Sequence, residues 1–190
     1  LAMFETDALH RRGQALEDEF FHRVDEKLRE QLRDSLERKK QRERLSAATG
    51  FTYEQLLDHL IDGGFQATTL AALALVPAVF IAWADGSVTA KERQAVLAAA
   101  LDRGLEHEPT AMQMLHAWLN KHPPRSLWTL WKEYAEGLHD SVSATLADLL
   151  MKEILRTATS VAEASGGTLG FGKISEAEQK ILDDVSNMYH

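Results

Sequence analysis

The chain has 190 residues, of which 45% are hydrophobic, and this is enough to form the core of one ordinary domain with a short appendage. It contains no cysteine, which excludes disulfides, thiolate metal sites and cysteine nucleophiles. The net charge of −8 lies in residues 46–190, because residues 1–45 hold 11 basic and 11 acidic side chains. An acidic body argues against nucleic-acid binding, which depends on Lys and Arg neutralising phosphates.

The first predicted element is a long amphipathic helix over residues 6–45. This stretch has no proline, and large apolar residues recur every four positions between dense charges: Leu16, Phe20, Val24, Leu28, Leu32 and Leu36. We expect this apolar stripe to pack on the body, on a second copy of the chain or on a protein partner. Two interpretations of the basic end of the helix stay open, a solvated helix end or peripheral contact with a membrane surface.

The segment SAATG interrupts the helical pattern, so the sequence predicts an arm over residues 1–50 and a helical domain over residues 51–190. Thr52 and Gln55 have the spacing of a capping box for a short helix that ends at Gly63 and Gly64. The uncharged residues that follow, 67–84, raise the question of a membrane span. Pro77 and the acidic flanks favour instead a buried central helix over residues 70–83 in a water-soluble chain.

The remaining elements are predicted from their start and stop signals. A helix begins at Thr89 and ends near Gly104, and the next opens at Pro109 and ends before the two prolines at 123 and 124. Another covers residues 126–138, Asp140 or Ser141 caps a long helix to about residue 164, and Ser175 starts the last. No segment alternates with a two-residue period, so we expect an all-α bundle of about eight helices. Four tryptophans fall on its apolar faces as core anchors: Trp83, Trp118, Trp128 and Trp131.

Two stretches repeat one turn pattern. Residues 86–92 read GSVTAKE and residues 172–178 read GKISEAE, so glycine, a β-branched residue, a hydroxyl residue and glutamate share one spacing. In each stretch the hydroxyl residue and the glutamate form a predicted capping box, which satisfies free amides at a helix start. The sequence therefore predicts two helix-turn-helix half-repeats. We expect their turns to lie side by side, with Val88 and Ile174 paired through the backbone.

The first turn also resembles the second half of a calcium-binding loop. Asp85 and Glu92 match two ligand positions of the twelve-residue loop, but Ile81 and Trp83 occupy the positions of its first two acids. These side chains offer no oxygen, so the turn is not an ordinary EF-hand site. A weak divalent-cation site for calcium or magnesium stays open, formed by Asp85, Glu92 and Glu178 if the two turns meet.

Residues 67–190 resemble the tellurite-resistance protein B (TerB-like) family. The resemblance rests on the blocks AWADGSVTAKERQAVL at 82–97 and GFGKISEAEQKIL at 170–182, although Phe171 replaces the acid that many members have in the second block. It implies a helical fold of two half-repeats, a link to bacterial stress and tellurite resistance, and acidic surface clusters that hold divalent cations. A related domain occurs in membrane-linked cochaperones, whose His-Pro-Asp motif this sequence lacks.

The sequence and the resemblance favour a noncatalytic interaction or sensing module. No Gly-rich phosphate loop, His-Glu-x-x-His pair or Gly-x-Ser-x-Gly elbow is present. Two alternatives stay open, an oligomerisation protein that uses the N-terminal helix and a hydrolase whose carboxylates converge from distant helices. The opening residues do not have the pattern of a secretory leader, so we expect a cytoplasmic location.

Overall fold

The computed structural model describes residues 2–164, 166 and 174–188, with side chains from residue 11 onward. This part of the chain is all-α and contains no strand, which confirms the predicted fold class. Its eight α-helices are α1 (Ala2–Thr49), α2 (Glu54–Asp62), α3 (Val76–Ala82), α4 (Ala90–Asp102), α5 (Pro109–Asn120), α6 (Arg125–Ser141), α7 (Ala144–Ala164) and α8 (Glu176–Asn187). Short 3-10 helices cover Leu70–Leu75 and Leu105–His107.

The chain divides into two compact units, Leu1–Gln41 and Arg42–His190. The first unit consists of most of α1, which is one continuous helix as predicted. The last residues of α1, 42–49, belong to the second unit together with all the other helices. Gly50 has a φ of 76°, a left-handed conformation that glycine adopts without strain, and α1 ends there.

Helix α3 lies at the centre of the second unit and contacts α4, α5, α6, α7 and α8. The uncharged segment is mostly buried, as predicted, but the expectation of one α-helix over residues 70–83 is wrong. Leu70–Leu75 is a 3-10 helix, and α3 starts at Val76 with Pro77 in its first turn. Proline has no N–H to donate to an earlier turn, and its ring clashes with the preceding carbonyls, so the α-helix begins beside Pro77 and does not run through it.

Two other predicted helix starts are also wrong. Tyr53 caps α2 without a side-chain hydrogen bond, so Thr52 and Gln55 do not form the expected capping box. Asp140 and Ser141 belong to α6 and do not cap α7. Ser143 caps α7 instead, because its Oγ accepts a hydrogen bond from the Leu146 amide at 3.3 Å.

The second unit has two neighbouring apolar clusters. One joins the end of α1 to α2 and α6 around Leu45, Phe51, Leu60 and Trp131. The other surrounds α3 with residues of α4, α5, α7 and α8. Of the four tryptophans predicted as core anchors, Trp131 is fully buried and the other three are partly buried against these clusters. No helix in the described part of the chain is both long and apolar enough to span a bilayer.

Candidate functional site

The first repeated turn links α3 to α4 and is held by its own side chains. Asp85 is exposed, and its Oδ1 accepts a hydrogen bond from the Ser87 amide at 3.0 Å. Gly86 has a φ of 95°, which favours glycine. Thr89 and Glu92 form the predicted capping box: the Thr89 amide donates to Glu92 Oε2 at 2.7 Å, and the Glu92 amide donates to Thr89 Oγ1 at 3.2 Å.

The start of α8 repeats this capping box. The Ser175 amide donates to Glu178 Oε2 at 2.6 Å, and the Glu178 amide donates to Ser175 Oγ at 3.2 Å. Both glutamates are almost completely buried, with exposures of 1% for Glu92 and 4% for Glu178. Their carboxylates therefore serve the helix starts from inside the domain. The glycine of this second turn, Gly172, and Phe171 before it lie outside the described residues.

The predicted cation site gains no support from this geometry. In the described part of the chain, no three His, Asp or Glu side chains lie close enough together to hold a metal ion. Asp85, Glu92 and Glu178 therefore do not form such a group. A carboxylate that accepts a backbone N–H at a helix start also has less of its oxygen available to a cation. Binding of calcium or magnesium thus stays a prediction.

The expected backbone pairing of the two turns is not found among the described residues. Val88 and Ile174 pack against the same apolar cluster, but neither lies in a strand or a bridge. Each turn satisfies amides within itself, through Asp85 and Glu92 in one and Glu178 in the other. Pairing of the two backbones is therefore not needed to satisfy these donors.

A second feature of the domain is a pair of neighbouring grooves along α2 and α6. One has a volume of 590 Å³, with Trp118 and Leu130 among its lining residues, and the other has a volume of 430 Å³ and is lined by Glu136 and Asp140 among others. His59 and Glu133 line both grooves, and His59 Nδ1 lies 2.5 Å from Glu133 Oε2. The two residues are 74 positions apart, and no local motif marks them as partners.

The hydrogen bond to Glu133 raises the pKa of His59 above its ordinary value. Partial desolvation acts in the opposite direction, while the charges of Glu133, Asp62 and Asp58 add to the rise. Because the folded-state pKa is the higher one, the pair contributes its full stabilisation below the unfolded value of about 6.5 and loses it as the pH rises through the folded value.

We expect Glu133→Gln to lower the pKa of His59, because the substitution removes both the charged acceptor and its Coulomb attraction. An NMR titration of the His59 ring measures this shift directly. Glu136→Gln is the matched control, since Glu136 lies one turn further along α6 and is not the hydrogen-bond partner of His59. An unchanged His59 pKa in Glu133→Gln would contradict the pairing.

A third feature is the apolar stripe of α1 in the first unit. Seven large apolar side chains there have exposures between 39% and 65%: Leu16, Phe20, Phe21, Val24, Leu28, Leu32 and Leu36. An isolated exposed leucine is ordinary, but a run of this length along one helix is a feature of interaction surfaces.

Comparison with known proteins gave no significant match to a protein-family model, to a curated protein or to a solved structure. The TerB-like resemblance therefore rests on the two motif blocks alone. Part of the second block, residues 170–173, lies outside the described residues.

Proposed function

We propose that this chain is a noncatalytic, TerB-like interaction module of the cytoplasm with a role in stress, and that α1 is its protein-binding element. The observation that carries the proposal is the exposed apolar stripe of α1. Transfer of apolar surface from water into an interface is favourable by about 25 cal/mol for each Å². A helix that presents seven large apolar side chains to water thus has a strong driving force for association.

The noncatalytic part of the proposal is supported by the carboxylates of the repeated turns. Glu92 and Glu178 are two of the three acids that the sequence offers for a shared site with Asp85, and each of these two is engaged as a helix cap. A general acid or base must reach the proton that it transfers, and a cap buried against its own helix start is poorly placed for this. The TerB-like and stress-related parts are supported by the sequence resemblance.

The experiment that tests this function is photo-crosslinking in the source cell. A photoreactive residue at Phe20 or at Leu32 lies on the stripe and should yield covalent adducts of increased mass, with the chain itself or with another protein. Glu26 is the matched control position, because it lies on the opposite side of α1 from Leu28, about 160° around the helix.

Adducts at the stripe positions and none at the control position would support the proposal. Equal labelling at all three positions, or no adduct at any of them, would contradict the assignment of α1 as the binding element.

A further inference from the structure

On one face of α1, positions equally far before and after Leu28 have complementary side chains. Eleven residues are slightly more than three helical turns, so Glu17 and Lys39, eleven positions before and after Leu28, lie within about 20° of Leu28 around the helix axis. Phe21 and Ser35, seven positions away on either side, lie equally close to Leu28 around that axis. The face thus has an acid at one end and a base at the other, with Leu28 midway, Phe21 towards the acid and Ser35 towards the base.

The interior of this face can pack against a second copy of itself. When two such helices run antiparallel with Leu28 on Leu28, Val24 of each copy meets Leu32 of the other, and Phe21 meets Ser35. The Ser35 hydroxyl donates to the Leu32 carbonyl at 2.9 Å, so it already has a partner within its own helix. A large aromatic ring can therefore cover it without leaving that donor unsatisfied.

Charge decides between the two directions in which the helices can run. In an antiparallel pair, Glu17 of each copy lies opposite Lys39 of the other, which gives two attractive contacts. In a parallel pair, Glu17 lies opposite Glu17 and Lys39 opposite Lys39, and both contacts repel. Antiparallel helices also align opposite ends of their macrodipoles.

On the opposite side of α1, an acid and a base pair with each other within the same helix. Arg23 and Glu19 form an ion pair at 3.0 Å within the helix, and both side chains are largely exposed. These two residues lie about 140° and 180° from the Leu28 direction. This ion pair thus faces away from Leu28, while Glu17 and Lys39 lie on the same side of the helix as Leu28.

We propose that residues 17–39 are an antiparallel dimerisation face, on which the partner of α1 is a second copy of this chain. This inference rests on the proposed function, because it identifies which protein the stripe binds. In this dimer Leu28 lies on the two-fold axis, and the contacts between Glu17 and Lys39 favour antiparallel over parallel helices.

The test is a charge-swap series in the full chain, measured by analytical ultracentrifugation at about 50 mM salt, where surface charges are weakly screened. We expect the unaltered chain, of 21.3 kDa, to sediment as a dimer. Glu17→Lys and Lys39→Glu should each weaken the dimer about tenfold, since both contacts become repulsive. The double variant should restore the original affinity, and about 0.5 M salt should remove the differences.

Two matched controls carry the same charge changes away from the Leu28 face. Glu26 lies about 160° and Lys40 about 120° from Leu28 around the helix axis, so neither Glu26→Lys nor Lys40→Glu should weaken the dimer. Leu28→Asp places two acids at the two-fold axis and should give a monomer. All five positions altered in this series are exposed, and an unchanged circular dichroism spectrum would show that the helix persists.

A monomeric unaltered chain at submillimolar concentration would overturn the inference. Photo-crosslinking then separates the two proposals: stripe-specific adducts with another protein would leave the proposed function standing, and no such adducts would remove both. A dimer that ignores the charge swaps would also overturn the inference, because the helices would then be parallel or the interface would lie elsewhere.

Discussion

A chain that begins at Phe51 is expected to be about 3–5 kcal/mol less stable than a chain that begins at Arg42, because residues 42–49 of α1 are part of the domain core. Leu45 is 1% exposed and belongs to the same apolar cluster as Phe51. Ser46 Oγ donates to the Phe51 carbonyl at 2.7 Å, and Thr49 Oγ1 accepts from the Phe51 amide at 3.0 Å. Removing the segment leaves a cavity, takes the donor away from the Phe51 carbonyl and replaces the Phe51 amide with a charged amino terminus.

Urea unfolding of the two truncated chains measures this difference in free energy. Within the longer one, Leu45→Ala should reproduce about 2–4 kcal/mol of it, which is the usual cost of truncating a buried leucine. Glu43→Ala is the matched control on the exposed side of the same helical turn and should change stability little. Equal stability of the two truncated chains would show that the end of α1 contributes nothing to the core.

Helix starts that depend on local chemistry could be predicted from the sequence. Thr89 with Glu92 and Ser175 with Glu178 form the capping boxes that their spacing indicated. The same spacing at Thr52 and Gln55 gave a wrong prediction, because α2 is preceded by Phe51, which is fully buried. Burial of that ring fixes the path of the chain, and the helix begins only at Glu54.

Contacts between distant residues could not be predicted. His59 and Glu133 are brought together by the packing of α2 on α6, which no local pattern encodes. The end of α1 is a similar case. SAATG interrupts the charge pattern and predicted an arm over residues 1–50, but the contacts divide the chain after Gln41, since Leu45 is held by a cluster formed by α2 and α6.

Glu92→Ala and Glu178→Ala are each expected to lower the free energy of unfolding by about 1–3 kcal/mol. Each substitution removes the acceptor of a helix-start amide and leaves a void where a nearly buried side chain was packed. Glu92→Gln keeps an acceptor oxygen and should cost less than Glu92→Ala. Lys91→Ala and Glu176→Ala are matched controls, because both residues are exposed in the first turns of α4 and α8.

Thermal unfolding of the unaltered chain and of these variants measures their stability and also decides whether the first turn binds a cation. A ligand that binds only the native state must raise the melting temperature, so calcium, magnesium or manganese at millimolar concentration should raise it if the site exists. Asp85→Asn should abolish that rise and yet scarcely alter stability without metal, because the Asn oxygen can still accept from the Ser87 amide. If no cation changes the melting temperature while the glutamate variants lose stability, the carboxylates of this turn serve only to join α3 to α4.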